Sequence, residues 1–463
     1  MTGRTGSPST AVRAVRLAAL ATVIGVVLAV IPGHRGWFDV GVYHGAVTWW
    51  VHGGDLYEYL RPGTEYGFTY PPFAALCLSP LALLRWHPAV VASIIANAVA
   101  GALLVRWLFV PVLRRAGRPA WEAFGLGACL LAVFEPARDT VSFGQVNLVL
   151  LALVCADLRL LTSRYARYAG ICIGLAAAIK LTPALFIVYL LVARQRRAGL
   201  VAAAVSLAAT GLAALVAPAA THTFFTEALW QTSRVGNLAY VSNQSLQGVV
   251  ARLHLPGHDR LVWLAAVLAV LVVWAARVRR AAAIGDQRAG FALTGLAACL
   301  ISPITWVHHL VWCLPALMLF VERTRTPWTR RSAAAVVGYA LMCSSVVWLF
   351  ANNYAGFIGF VGSNTYVWVG LALLLVLPVH GAGDDAALHR AEVQRLAGQG
   401  GRAEHELLEN GEEPVGGGLP AELLRPAAGG GSPVPLRPGQ QLTESRREVV
   451  THGAEPRRPE HSR

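Results

Sequence analysis

Long apolar runs broken by short polar stretches recur from Leu17 to about Val379. A run of about 20 residues is long enough to cross a hydrocarbon core of about 30 Å as a helix. The runs are continuous rather than alternating, so they predict helices and exclude a membrane β-barrel. They place spans near 17–31, 88–112, 120–134, 146–161, 198–217, 260–276, 289–301, 309–321, 332–351 and 366–379. Two further stretches are less regular. The run 72–84 is short for a crossing, and 168–193 contains Lys180-Leu181-Thr182-Pro183, which predicts a hairpin of half-helices turning at Lys180. The expected total is about 11 to 13 membrane helices. Broken segments are tolerated at membrane depth only where they are buried in protein or line a cavity.

Composition agrees with this pattern. Hydrophobic residues make up 55% and charged residues 14%, with a mean hydropathy of +0.51, against about 25% charged in soluble domains. The first 380 residues therefore read as an all-α polytopic membrane domain. They carry 29 basic and 12 acidic residues, a net +17. The arginines gather at 114–118, 159–167, 194–197, 277–288 and 323–331, which marks those loops as cytoplasmic and makes them poor evidence for nucleic acid. Pro32-Gly33-His34 is a poor cleavage site, so the first apolar run is expected to remain as a helix rather than leave as a signal peptide. From 381 to 463 the chain is rich in Gly, Pro, Arg and Glu, and the expectation is a disordered cytoplasmic tail. The seven cysteines fall in apolar segments without metal-type spacing, so neither a disulfide framework nor a metal site is expected.

The candidate chemistry gathers in the loops left on the other side of the membrane. Asp39, in Phe38-Asp39-Val40-Gly41-Val42-Tyr43, stands just beyond the first apolar run. An acid kept partly dry there suits a general base, or it caps the helix that follows. Lys180 is the single lysine, every other member of the 39 Lys and Arg residues being arginine. An ammonium inside an apolar run either holds a lipid-linked phosphate or snorkels to an interface. Gln145 and Asn147, in Gly144-Gln145-Val146-Asn147, and Asn243 and Gln244, in Ser242-Asn243-Gln244-Ser245, offer neutral groups able to read hydroxyls or to cap helices. Trp306 precedes His308 and His309, which as neighbours on a helix face different ways and so are a poor metal pair.

These segments in order, together with Phe68-Thr69-Tyr70-Pro71-Pro72 and Ser302-Pro303-Ile304-Thr305-Trp306-Val307-His308-His309, resemble glycosyltransferase family 87. These are polyprenol-phosphate-mannose-dependent α-1,2-mannosyltransferases of mycobacteria and relatives. The resemblance runs from about Gly33 to His309 and, by architecture, to His380. It implies a GT-C bundle in the cell membrane, with a cavity facing the extracytoplasmic side. The implied donor is a polyprenyl-phosphate-mannose, and the implied acceptor is a mannose of a phosphatidylinositol mannoside, lipomannan or lipoarabinomannan. No cofactor or metal is implied. Asp39 takes the place of the catalytic acid of the first loop, and the His308-His309 pair that of a functional histidine. Lys180, Tyr43, Tyr70, Gln145, Asn147, Asn243, Gln244 and Trp306 are the further candidates for holding donor phosphate or sugar. Two other readings stay open: an arabinosyltransferase using polyprenyl-phosphate-arabinose, and a lipid-linked-sugar transporter or flippase, which predicts inverted repeats.

Overall fold

The computed structural model describes residues 9–30, 33–231, 234–324 and 330–381. The chain divides into two units, Met1–Ala391 and Glu392–Arg463, and every described residue belongs to the first. The tail expected from 381 onward lies outside the described residues except for Gly381.

The described residues are helical, with only an isolated bridge between Leu60 and Gly67. Among the described residues four helices are long and apolar enough to cross a membrane: Thr10–Val30, Trp86–Arg115, Arg196–Val216 and Asp259–Ala283. The expected first helix is among them. Two more crossings arise if each sharply bent pair is one span. These pairs are Ala120–Val133 with Glu135–Phe143, bent by 73°, and Gly356–Ser363 with Thr365–Val376, bent by 62°. In the first pair the chain turns at Phe134 and restarts with Pro136 in the first helical turn, where its missing N–H is not needed. The remaining apolar runs fold as shorter pieces such as Pro72–Leu83 and Gln287–Ile301. Counting by unbroken length therefore gives four to six spans where the runs alone suggested about 11 to 13.

The stretch around Lys180 is a hairpin of half-helices, Ile171–Ile179 and Ala184–Val192, separated by extended backbone at Lys180. Both far ends rest on the same part of the helix Arg196–Val216. Gly170, with φ of 104°, lies so close to it that a Cβ would collide with the Ala198 carbonyl oxygen, and Leu191 packs on Gly199. The buried Asp157 carboxylate accepts from the Ile173 N–H at 2.6 Å and fixes the start of the first half-helix.

The main core surrounds Gln287–Ile301, which is buried at every position from Ala289 to Leu300. A helix apolar all round belongs at the centre of a bundle. A second, smaller core is built from aromatic residues of the first loop, with Tyr43, Tyr57, Phe68 and Tyr70 packed against Phe224. The functional cavity opens where this loop core meets the tip of the Lys180 hairpin.

Candidate active site

A cavity of about 810 Å³ is lined by Asp39, Tyr43, Tyr70, Gln145, Lys180, Trp306, His308 and His309 among others. These come from five separate parts of the sequence. The helix Phe38–Val51 begins after Trp37, whose left-handed backbone ends the preceding loop, and so carries Asp39 in its first turn. An acid is favourable there because it faces the positive end of the helix dipole. Capping alone does not account for its surroundings. Asp39 Oδ2 is buried without a partner among the described residues. Burial pushes the carboxyl up from 3.8 to about 6, against the opposing pull of a Gln145 hydrogen bond and the charges of Lys180 and Arg61.

One turn further, the Tyr43 hydroxyl donates to the Tyr70 hydroxyl at 2.9 Å, and Tyr70 donates to Gln145 Oε1 at 2.7 Å. Lys180 Nζ donates to the Tyr70 hydroxyl at 3.1 Å and to Asn147 Oδ1 at 2.9 Å, and stands 3.0 Å from His309 Nε2. The amine thus has three polar neighbours and, among the described residues, no carboxylate in contact. It is a buried amine placed to meet an anion from the cavity.

The two histidines sit on the tight 3₁₀ turn Val307–Cys313, their rings 4.6 Å apart and nearly perpendicular. His309 is engaged by Lys180 on one side and by the Trp306 N–H, 3.2 Å from Nδ1, on the other. His308 packs on Phe143, and its Nε2 is buried without a partner among the described residues. The carbonyl of His308 accepts from Thr140 Oγ1 and Asn147 Nδ2, so Asn147 ties Lys180 to the histidine turn from behind the cavity wall.

Asn243 and Gln244 are placed elsewhere. Both are fully buried off the cavity wall, which corrects the expectation that they read sugar hydroxyls. Asn243 donates to the carbonyls of Leu238 and Pro303 and accepts from Thr305 N–H, while Gln244 donates to the carbonyls of Val241 and Ser363. Ser245 accepts from the Gly248 N–H and caps Leu246–Leu253. This turn ties three loops together.

The cavity also includes residues that sequence reading missed: Arg35, Arg234, Tyr240 and Trp348. The two arginines had a signal, since they lie outside the five arginine clusters. No group of three or more His, Cys, Asp or Glu side chains disposed to hold a metal occurs among the described residues.

The family model of glycosyltransferase family 87 matches residues 68–303. Among curated proteins, the chain is 30% identical over 400 residues to a polyprenol-phosphate-mannose-dependent alpha-(1-2)-phosphatidylinositol mannoside mannosyltransferase of Mycolicibacterium smegmatis, covering 80% of this chain and 90% of that one. The protein with the same description in Mycobacterium tuberculosis is 31% identical over 370 residues, covering 74% and 85%. A polyprenol-phosphate-mannose-dependent alpha-(1-2)-phosphatidylinositol pentamannoside mannosyltransferase of Mycolicibacterium smegmatis is 34% identical over 363 residues, covering 74% and 84%. No solved structure matches.

Proposed function

The chain belongs to glycosyltransferase family 87, and on that premise we propose that it transfers mannose from a polyprenyl-phosphate-mannose to a mannose hydroxyl of a phosphatidylinositol mannoside or a related lipid-linked glycan, forming an α-1,2 linkage. The observation that carries this reading is the meeting, in one cavity, of an Asp39 oxygen and a buried Lys180 that have, among the described residues, no hydrogen-bond partner and no carboxylate in contact, respectively.

Asp39 takes the proton from the acceptor hydroxyl as that oxygen attacks the anomeric carbon. The bond from that carbon to the phosphate oxygen breaks, and its electron pair leaves with the polyprenyl phosphate. For a β-linked donor this single displacement inverts the centre to an α product without a covalent intermediate. The charge that grows on the leaving phosphate is met by Lys180, supported by Tyr70, Asn147 and His309, with His308 Nε2 free to bond it as well. Fixed donors of this kind act most strongly where charge develops in a water-poor site. An Asp39 carboxyl near 6 is ionised at neutral pH yet more basic than an exposed aspartate, which suits a general base.

In this reading no metal is needed, and chelator-treated enzyme is expected to keep its transfer rate, which a transfer assay with and without chelator checks. In the same reading the loops that carry the arginine clusters are cytoplasmic, as their excess of positive charge favours, and the cavity opens on the extracytoplasmic side of the cell membrane. The decisive test is transfer of labelled mannose from purified polyprenyl-phosphate-mannose to phosphatidylinositol mannosides by wild type and Asp39→Asn. Product from wild type alone supports the assignment. Equal product from both removes Asp39 as base, and none from a folded wild type across a panel of acceptors removes the mannosyl reading.

A further inference from the structure

The walls of the cavity differ in chemistry. Beside Lys180 the turn presents Leu181 and the second half-helix presents Leu185 and Val188, with Leu181 and Val188 well exposed, a surface suited to hydrocarbon. Three aromatic side chains from distant parts of the sequence form a continuous band. The rings of Trp306 and Tyr240 are 6.1 Å apart, and those of Tyr240 and Trp348 are also 6.1 Å apart, both pairs edge to face. All three line the cavity.

The band is held from behind. Trp348 Nε1 donates to the buried Glu135 at 2.5 Å, and the Arg35 guanidinium lies 4.4 Å over the Trp348 ring. Trp306 is flanked by Gly236, whose φ is 138° and where an added Cβ would stand only 3.0 Å from Trp306 Cζ2. Tyr240 stands differently. It is 46% exposed, and its hydroxyl has no hydrogen-bond partner among the described residues. A band of fixed rings with a guanidinium and a free phenol beside it offers flat apolar faces and polar groups together. That combination fits the C–H face and the hydroxyl rim of a sugar better than an isoprenoid chain. A cavity of about 810 Å³ also has room for more than a sugar ring and a phosphate.

We propose that Trp306, Tyr240 and Trp348, with Arg35 behind them, form a second sugar-binding region that takes the acceptor residues preceding the mannose being extended, so that the protein selects an oligosaccharide over a single sugar. The role as acceptor region rests on the mannosyl-transfer reading above. The preference for a longer glycan is a binding property and is measured separately.

The test is a calorimetric titration of the purified full chain with methyl α-mannoside and with a methyl α-mannotetraoside, with transfer from polyprenyl-phosphate-mannose followed in the same preparations. The expected result is that wild type binds the tetraoside roughly tenfold or more tightly than the monosaccharide, about the effect of a well-packed aromatic contact. Tyr240→Ala collapses that ratio toward one, and Tyr240→Phe, which keeps the ring, restores most of it. Trp348→Phe, which keeps a ring but loses the bond to Glu135, falls between and serves if Tyr240→Ala does not fold. Equal affinity of wild type for both ligands overturns the proposal, as does an unchanged ratio in both Tyr240→Ala and Trp348→Phe. A length preference in a wild type that transfers no mannose upholds the sugar region and defeats the mannosyl reading. Transfer without length preference does the reverse.

Discussion

The turn at Lys180 and the turn at Asn243–Ser245 both bury polar side chains among apolar helices, yet they bond to different kinds of partner. Lys180 reaches only side chains, those of Tyr70, Asn147 and His309. The amides of Asn243 and Gln244 and the Ser245 hydroxyl reach only backbone groups, at Leu238, Val241, Gly248, Pro303, Thr305 and Ser363. Backbone groups in a buried loop must be paired, so side chains spent on them are part of the scaffold. A cation surrounded by neutral side chains beside a cavity can exchange a partner for a ligand at little cost. Polarity in an apolar run marks both turns, and the partner separates them.

The largest effect that sharpens this contrast is expected at Asp39. Asp39→Asn keeps the shape of the site and removes the base, and turnover is expected to fall by roughly 10³-fold, within the range of lost general-base catalysis. The same variant carries a second signature. A carboxyl raised to about 6 in the folded protein from 3.8 binds more protons folded than unfolded between those values, so its contribution to stability falls as pH rises through that window. Asp39→Asn lacks this titration, so it is expected to be inactive while melting no lower than wild type at neutral pH. A thermal melt beside the transfer assay reads both.

Next comes Lys180. Lys180→Ala is expected to raise KM for the lipid donor by roughly 10-fold to 100-fold, as loss of a charged hydrogen-bond donor would. Lys180→Arg is not expected to rescue it, because a planar guanidinium does not replace a compact ammonium among three converging partners. Unchanged donor kinetics would make this turn as structural as its counterpart.

A smaller effect is the pH profile. The acidic limb of the wild-type kcat/KM profile is expected to climb with pH as the Asp39 carboxyl ionises near 6, with about a tenfold loss per unit below it. A flat profile down to pH 5 would separate Asp39 from the rate. The least change in activity is expected at Asn243→Ala, which leaves the Thr305 N–H unpaired. It should lower stability by about 1–3 kcal/mol and leave both KM values within twofold in the protein that remains folded. A large rise in either KM would erase the distinction between the turns.

Much of the cavity wall around Lys180 was legible in the sequence. Asp39, Gln145 and Lys180 are polar beside or within apolar runs, and burying such groups is expensive enough to require a reason, whereas Tyr70 was marked only by the family resemblance. The aromatic side was not. Trp348 falls inside a run read as a span, and a tryptophan there looks like a membrane anchor, since its use depends on Glu135, more than 200 positions away. Asn243 and Gln244 misled for the opposite reason: polarity was visible and its backbone partners were not. The long helices followed from hydropathy alone, whereas the bends at Phe134 and Asn364 did not, because hydropathy does not register direction.

The half-helix Ile171–Ile179 works as a lever. It is clamped at one end by Asp157 and by the contact of Gly170 with Ala198, and it carries Lys180 at the other, about 14 Å away for nine residues of helix. A small tilt at the clamp is delivered to the ammonium as a displacement. The position of Lys180 is therefore open to retuning by substitutions at Asp157 or Gly170, residues that are not among those lining the cavity, with every side chain of the cavity wall left the same.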